Sequence, residues 1–207
     1  MVAAGSGTRF GAPKQLMMLG DRRVVDHAID AARQASDGVV VVTPPGAGWD
    51  FEHVVRVDGG LTRSESVRAG LAAVPVDAEI VLVHDAARPM ADPSVFGRVI
   101  DAVRNGADGA VPGLAITDTV KEVRAGVVVA TVPRDTLVTV QTPQAFRAAV
   151  LRRAHESGPE GTDDAGVVER AGGTVVVVAG AIENVKITTP DDLEHAAALL
   201  AARGAAG

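Results

Sequence analysis

The run Ala3-Ala-Gly-Ser-Gly-Thr-Arg-Phe-Gly-Ala-Pro-Lys-Gln15 sets Gly5, Gly7 and Gly11 among two cations, Arg9 and Lys14. Glycine lets a backbone approach a ligand closely and turn its N–H groups toward an anion. Two cations in the same loop suit a highly charged anion, with a nucleotide polyphosphate the leading candidate. Two better-known phosphate motifs fail here. A dinucleotide fingerprint needs glycine at position 10, which is Phe10, and Gly11 comes one residue late. A P-loop needs Gly-Lys-Ser/Thr, whereas Lys14 stands between Pro13 and Gln15.

Further groups with chemical potential follow. His84-Asp-Ala-Ala-Arg-Pro89 comes directly after an apolar strand pattern, and open α/β sheets bind ligands at the carboxyl ends of their strands. Asp85 is therefore placed to meet a sugar hydroxyl or a metal-bound phosphate, although an Asp there is also an ordinary turn or cap residue. Arg88 strengthens the functional reading, because a bulky cation before Pro89 has few purely local tasks. His84 reads more readily as a packed histidine than as a base. In Asp58-Gly-Gly-Leu-Thr-Arg-Ser-Glu-Ser66, Gly59 and Gly60 permit close approach, while Thr62 and Ser66 bring hydroxyls near a helix start. Base recognition and helix capping are both open for this turn. Lys186, between Val185 and Ile187, faces away from those two neighbours if the run is extended; solvent and substrate are alternative destinations. Arg134, Thr142 and Thr162 are ambiguous from local chemistry alone.

The elements that must position these groups alternate. Val-rich strand patterns cover Gly38–Thr43, Val54–Val57, Ile80–His84, Gly109–Pro112 and Thr174–Ala179. Helical patterns run from Val24 to Ala35, Arg63 to Ala73, Pro93 to Asn105, Pro143 to Glu156 and Pro190 to Ala202. This is the βαβ order of a mostly parallel sheet covered on both faces. Thr119–Arg124 and Val127–Val132 break the order and read as a hairpin around Ala125-Gly126. Such a ribbon is marginal alone, so it packs on a second subunit or back on its own domain. Only Met1-Val2 precede Ala3-Ala4, which leaves the expected first strand almost absent or lacking upstream residues.

Composition narrows the classes. The 207 residues suit one α/β domain spanning 1–207. Hydrophobic residues make up 47% and aromatics only 2%, so Val, Leu, Ile and Ala must build the core. Runs such as Val39–Val42 are too short to cross a bilayer, and Arg9 and Lys14 interrupt any leader pattern. The lack of cysteine fits a cytoplasmic setting. A net charge of −6 argues against a general nucleic-acid surface, so any anion site must be local.

The motifs, in order, resemble those of the 2-C-methyl-D-erythritol 4-phosphate cytidylyltransferases. They comprise the glycine loop with Pro13-Lys-Gln, Gly59-Gly-Leu-Thr-Arg-Ser-Glu-Ser-Val67, Val83-His-Asp-Ala-Ala-Arg-Pro89, Asp118-Thr119, Thr142-Pro-Gln144, Thr162-Asp163 and Asn184-Val-Lys-Ile-Thr188. The resemblance implies a Rossmann-like, doubly wound α/β fold with a protruding hairpin arm at about 115–140. It implies transfer of CMP from CTP to methylerythritol phosphate, with Mg²⁺ as cofactor and a homodimer formed through the arm. Arg9, Lys14, Arg134 and Lys186 would be the catalytic cations. Ala3, Ala4, Gly5, Gly7, Gly59, Leu61, Ser66, Asp85 and Ala86 would bind the nucleotide. Asp85, Arg88, Thr119, Arg134, Thr142, Thr162 and Lys186 would face the polyol phosphate, with Asp85 the candidate metal ligand and the triphosphate the metal's main holder. Thr119 and Arg134 would serve the neighbouring subunit's site. Ribitol 5-phosphate is the alternative acceptor, and Leu61 stands where a polar or acidic residue is common in the family.

Overall fold

The computed structural model describes residues 1–5, 10, 13–158 and 160–205. Gly7 and Arg9 lie outside the described residues. After a 3-10 turn at Lys14–Leu16, β1 (Met18–Leu19) and β2 (Arg22–Arg23) form a small antiparallel ribbon. Then come α1 (Val24–Arg33), β3 (Val40–Thr43), β4 (Val55–Asp58), α2 (Arg63–Ala73), β5 (Ile80–Val83) and α3 (Pro93–Arg104). The second half contains β6 (Gly109–Ala115), β7 (Val120–Arg124), β8 (Val127–Val132), β9 (Val138–Val140) and β10 (Gln144–Arg147). It ends with α4 (Ala148–His155), α5 (Asp164–Arg170), β11 (Val175–Ala179) and α6 (Pro190–Ala205).

The place expected for a first strand is taken by the opening residues. Met1–Ala3 is spliced between β3 and β5, with Val2 parallel to both Val42 and Asp85. On one side Ala3 N donates to Val42 O at 2.8 Å and Val42 N to Met1 O at 2.9 Å. On the other, Val2 N donates to His84 O at 2.8 Å and Ala86 N to Val2 O at 3.0 Å. The splice joins β4-β3 to β5-β10-β6-β11, with β9 also paired to β6. Of the strands in this path only β10 runs against β5 and β6, so the sheet is mostly parallel.

Period-2 alternation sends side chains to both faces of the sheet. Val81, Val83, Val111 and Phe146 pack with Val67 and Leu71 of α2, Leu151 of α4 and Val168 of α5. Val39 and Val41 meet Val25 and Ile29 of α1 and Phe96 of α3 on the other side. A third cluster seats Ile187 and Ala196 of α6 against Leu19.

Two expectations change. The span expected as one helix from Pro143 begins as β10, because Ala145 and Phe146 point to opposite faces and their backbones pair with β5 and β6. Proline read as a first-turn residue concealed this; the Thr142–Pro143 bond is cis. The helix α5 was not expected, being only 7 residues long and so offering less than two turns of periodicity. The hairpin is as expected: β7 and β8 pair around Ala125 and Gly126, at φ 47° and 80°. Both turn residues thus have the positive φ that a tight hairpin of this hand needs.

Candidate active site

Three loops and one extended segment meet at the carboxyl ends of β4, β5 and Met1–Ala3. The first loop is held by Gln15, whose Nε2 donates to Ala3 O at 2.9 Å and Gly5 O at 3.0 Å. Gln15 is buried, and this anchoring role was not visible in the sequence. Lys14 stands next to it, partly buried at the start of the 3-10 turn. Ala3 is fully buried and Ala4 borders the second loop.

In the second loop, a Cβ on Gly59 would lie 2.7 Å from Ser66 Oγ and 2.9 Å from Ala4 Cβ. Only glycine allows this approach, which presses the 59–66 turn against the first loop. Ser66 Oγ accepts from Gly60 N at 3.2 Å and donates to Thr62 O at 2.9 Å. Thr62 and Glu65 form a capping box on α2. The helix-capping and loop-shaping readings of this turn therefore hold together. Leu61 projects its side chain into solvent at 98% exposure, and its N–H is engaged by Glu65 Oε2 at 2.6 Å. Only its carbonyl is left for a backbone contact to a base.

The third loop carries Asp85. Its backbone N–H donates to Thr142 Oγ1 at 3.0 Å, and Thr142 Oγ1 also pairs with His84 Nδ1 at 3.0 Å. Thr142, buried at 6% exposure, thus supports Asp85 from beneath. His84 is buried against Phe96 and is a packed histidine, as its sequence context suggested; burial lowers its pKa to about 4. Ala86 is fully buried beside the Met1–Ala3 splice. Arg88 NH1 donates to Asn184 O at 2.7 Å, and burial lowers its pKa despite the attraction of Asp85.

That bond pins the segment bearing Lys186. Asn184 is fully buried and donates to Thr142 O at 2.9 Å, while Ile187 N donates to Ala87 O at 2.8 Å. Gln141 adds bonds from Nε2 to Ala181 O and Asn184 O at 2.8 and 3.2 Å. With both neighbours turned inward, Lys186 Nζ reaches Asp85 Oδ2 at 2.6 Å. Burial alone would raise the pKa of Asp85, but Lys186 and Arg63 hold it below the usual carboxylate value. Arg63 lies 3.9 Å from Asp85 Oδ1 and 2.7 Å from the fully buried Asp164 Oδ2. Arg63, inside the Gly59–Val67 motif, and Asp164 join this cluster although nothing in their local sequence marks them as site residues.

The remaining expected residues lie on exposed loops. Thr162 is exposed on the loop before α5, whose cap Asp163 accepts from Gln144 Nε2 at 3.1 Å. Thr119 is exposed beside β7, and Arg134 donates to Thr117 O at the foot of the arm. Among the described residues, no cluster of three or more His, Cys, Asp or Glu forms a metal cage. The donor set at the site is the single carboxylate of Asp85. This fits a Mg²⁺ held mostly by phosphate oxygens and water, which uses one or two carboxylates. No helix among the described residues is long and apolar enough to cross a membrane.

The family described as 2-C-methyl-D-erythritol 4-phosphate cytidylyltransferase matches residues 1–202. The Streptomyces coelicolor protein of that name is 45% identical over 225 residues, covering 97% of this chain and 83% of the relative. The Nocardia farcinica protein is 45% identical over 217 residues, with 98% and 93% covered. The bifunctional enzyme IspD/IspF of Anaeromyxobacter dehalogenans is 45% identical over 226 residues; all of this chain is covered, but it spans only 58% of that relative. The crystal structure of the Thermus thermophilus cytidylyltransferase superposes with a TM-score of 0.85 at 35% identity, covering 96% of both chains.

Proposed function

Because the chain belongs to the 2-C-methyl-D-erythritol 4-phosphate cytidylyltransferase family, we propose that the Asp85–Lys186 cluster is the place where its reaction occurs. The enzyme is a nucleotidyltransferase that moves CMP from CTP to 2-C-methyl-D-erythritol 4-phosphate, releasing pyrophosphate in the non-mevalonate isoprenoid pathway. Ribitol 5-phosphate is not the favoured acceptor. The observation that carries the assignment of the site is the Lys186 Nζ–Asp85 Oδ2 bond of 2.6 Å just past the carboxyl end of β5.

The nucleophile is an anionic phosphate, so the reaction calls for no strong base. Two anions must instead be brought together in line while charge builds on phosphoryl oxygens. Lys14 and Arg9 stabilise that charge on the triphosphate side, and Lys186 and Arg134 orient the acceptor phosphate. The loop at Ala3, Ala4, Gly5 and Gly7 surrounds the nucleotide with Gly59, Leu61, Ser66, Asp85 and Ala86. Arg88 and Thr142 keep Asp85 and Lys186 in place, and Thr162 meets the polyol from the α5 side. Asp85 would hold Mg²⁺ together with the triphosphate, and the ion would supply charge neutralisation at the phosphates.

The foot of the arm carries Thr119 and Arg134, both exposed, and the arm above it exposes Val127, Val128 and Val129. This apolar ribbon supports a homodimer in which the arm delivers Thr119 and Arg134 to the partner's site. A cytoplasmic setting goes with this reaction of soluble phosphates. The test is pyrophosphate release from CTP with methylerythritol phosphate, comparing the parent with Lys186→Ala. A folded Lys186→Ala protein that turns over at the parent rate would contradict the assignment.

A further inference from the structure

Arg63 sits where two loops from distant parts of the chain are tied together. Thr62 Oγ1 donates to Glu160 Oε1 at 3.0 Å, and Gly161 N donates to Ser64 Oγ at 3.1 Å. Between these links, Arg63 NH2 donates to Asp164 Oδ2 at 2.7 Å. Asp164 is fully buried, and its other oxygen pairs with His155 Nε2 at 3.2 Å. Both of its oxygens therefore have fixed directions. Asp164 in turn fixes the guanidinium, which is planar and keeps its charge throughout. Burial opposes that charge, but Asp164 and Asp85 more than offset the effect and raise the Arg63 pKa.

The same NH2 group lies 3.9 Å from Asp85 Oδ1, while Asp85 Oδ2 holds Lys186 Nζ at 2.6 Å. Asp85 thus divides its charge between a fixed cation and a movable one. Without Arg63, both carboxylate oxygens would be free to hold the ammonium, in competition with an arriving phosphate. With Arg63 in place, one of the three Lys186 donors is committed and two remain for phosphate oxygens.

We propose that Arg63, locked by Asp164 and His155, is a positioning residue that weakens the hold of Asp85 on Lys186 and so keeps Lys186 available to the acceptor phosphate. This rests on the site proposed above and adds the loop before α5 to the machinery behind it. The role is one of orientation, so it predicts an effect on turnover larger than on CTP binding.

The test is a mutant cycle of Arg63→Gln, Asp85→Asn and the double variant, with pyrophosphate release measured at high enzyme concentration. CTP affinity is measured by calorimetry, and folding by thermal melting. Arg63→Gln is expected to lower kcat at least about 10-fold while changing CTP affinity less than about 3-fold. Arg63→Lys, which keeps the charge, is expected to restore much of the rate. In the Asp85→Asn background, Arg63→Gln is expected to cost less than about 2-fold, because the carboxylate through which it acts has been neutralised. A full 10-fold loss persisting in that background overturns the proposal, as does a parent-like kcat with only a lowered melting temperature. Should Arg63→Gln fail to fold, Arg63→Met, which keeps the stem packed, takes its place with the same two outcomes. A parent chain that released no pyrophosphate would count against the site assignment itself.

Discussion

At the scale of single residues, the proposed site centres on Asp85, which Lys186 and Arg63 both approach. Removing one preorganised charge stabiliser commonly costs about 3–4 kcal/mol of transition-state energy, roughly 100- to 1,000-fold in rate. Lys14→Ala and Lys186→Ala are each expected to lose kcat by that order in a pyrophosphate-release assay. A second residue-scale prediction concerns acidity. His84 has a native pKa near 4 against an ordinary 6.5, through burial. The unfolded chain binds a proton that the native chain refuses, so stability is retained above the ordinary pKa and lost as pH falls. The loss spans pH 6.5 to 4, on the order of 3 kcal/mol at most. Urea midpoints should fall from pH 6.5 to pH 4, and replacing His84 by a neutral residue of similar shape should flatten that decline. The sequence made the cations legible because glycine, lysine and arginine in close spacing have few structural reasons to coincide. It did not reveal Gln15, Gln141 or Asp164, since a buried amide or carboxylate declares itself only through partners far away in the chain.

At the scale of elements, the site depends on how closely two turns approach. A Cβ on Gly59 meets Ser66 and Ala4 at under 3 Å, so Gly59→Ala must push the second loop from the first. It is expected to weaken CTP binding at least about 10-fold and to lower stability by about 1–3 kcal/mol, the range for overpacking. Calorimetric titration and denaturant unfolding would show this; parent-like values would mean that the turns need not touch. The strands around these turns were readable because Val-rich runs covered on both faces leave few alternatives. β10 was not readable, because Gln144-Ala-Phe-Arg147 is short and follows a proline that suits a helix start equally well. What decides its state is pairing with β5 on one side and β6 on the other, a tertiary effect absent from local propensity. The helix α5 escaped for a related reason: its stability comes from the Asp163 cap and from packing Val167 and Val168, not from its own length.

At the scale of the whole molecule, the arm exposes Val123, Val127, Val128 and Val129, each at least 49% exposed. A ribbon so apolar suits a second copy of the chain. With shared sites in a two-fold dimer, mixing inactive Arg134→Ala and Lys186→Ala proteins should rebuild one intact site in each mixed dimer. Equal mixing and free exchange then give about one quarter of the parent rate. No recovery after subunit exchange would place both residues in the same chain's site. Val127→Glu with Val129→Glu should yield monomers by sedimentation, with CTP binding retained. The splice at Met1–Ala3 acts at this scale too, because among the described residues it carries the backbone pairing between β3 and β5, a shorter join than the strand pairings beside it. The amides of Val42 and Ala86, bonded to Met1 O and Val2 O, should exchange with deuterium faster than those of β10, which is flanked by strands on both sides. Bound CTP should slow that exchange, so that the nucleotide acts as a clasp across the two parts of the sheet.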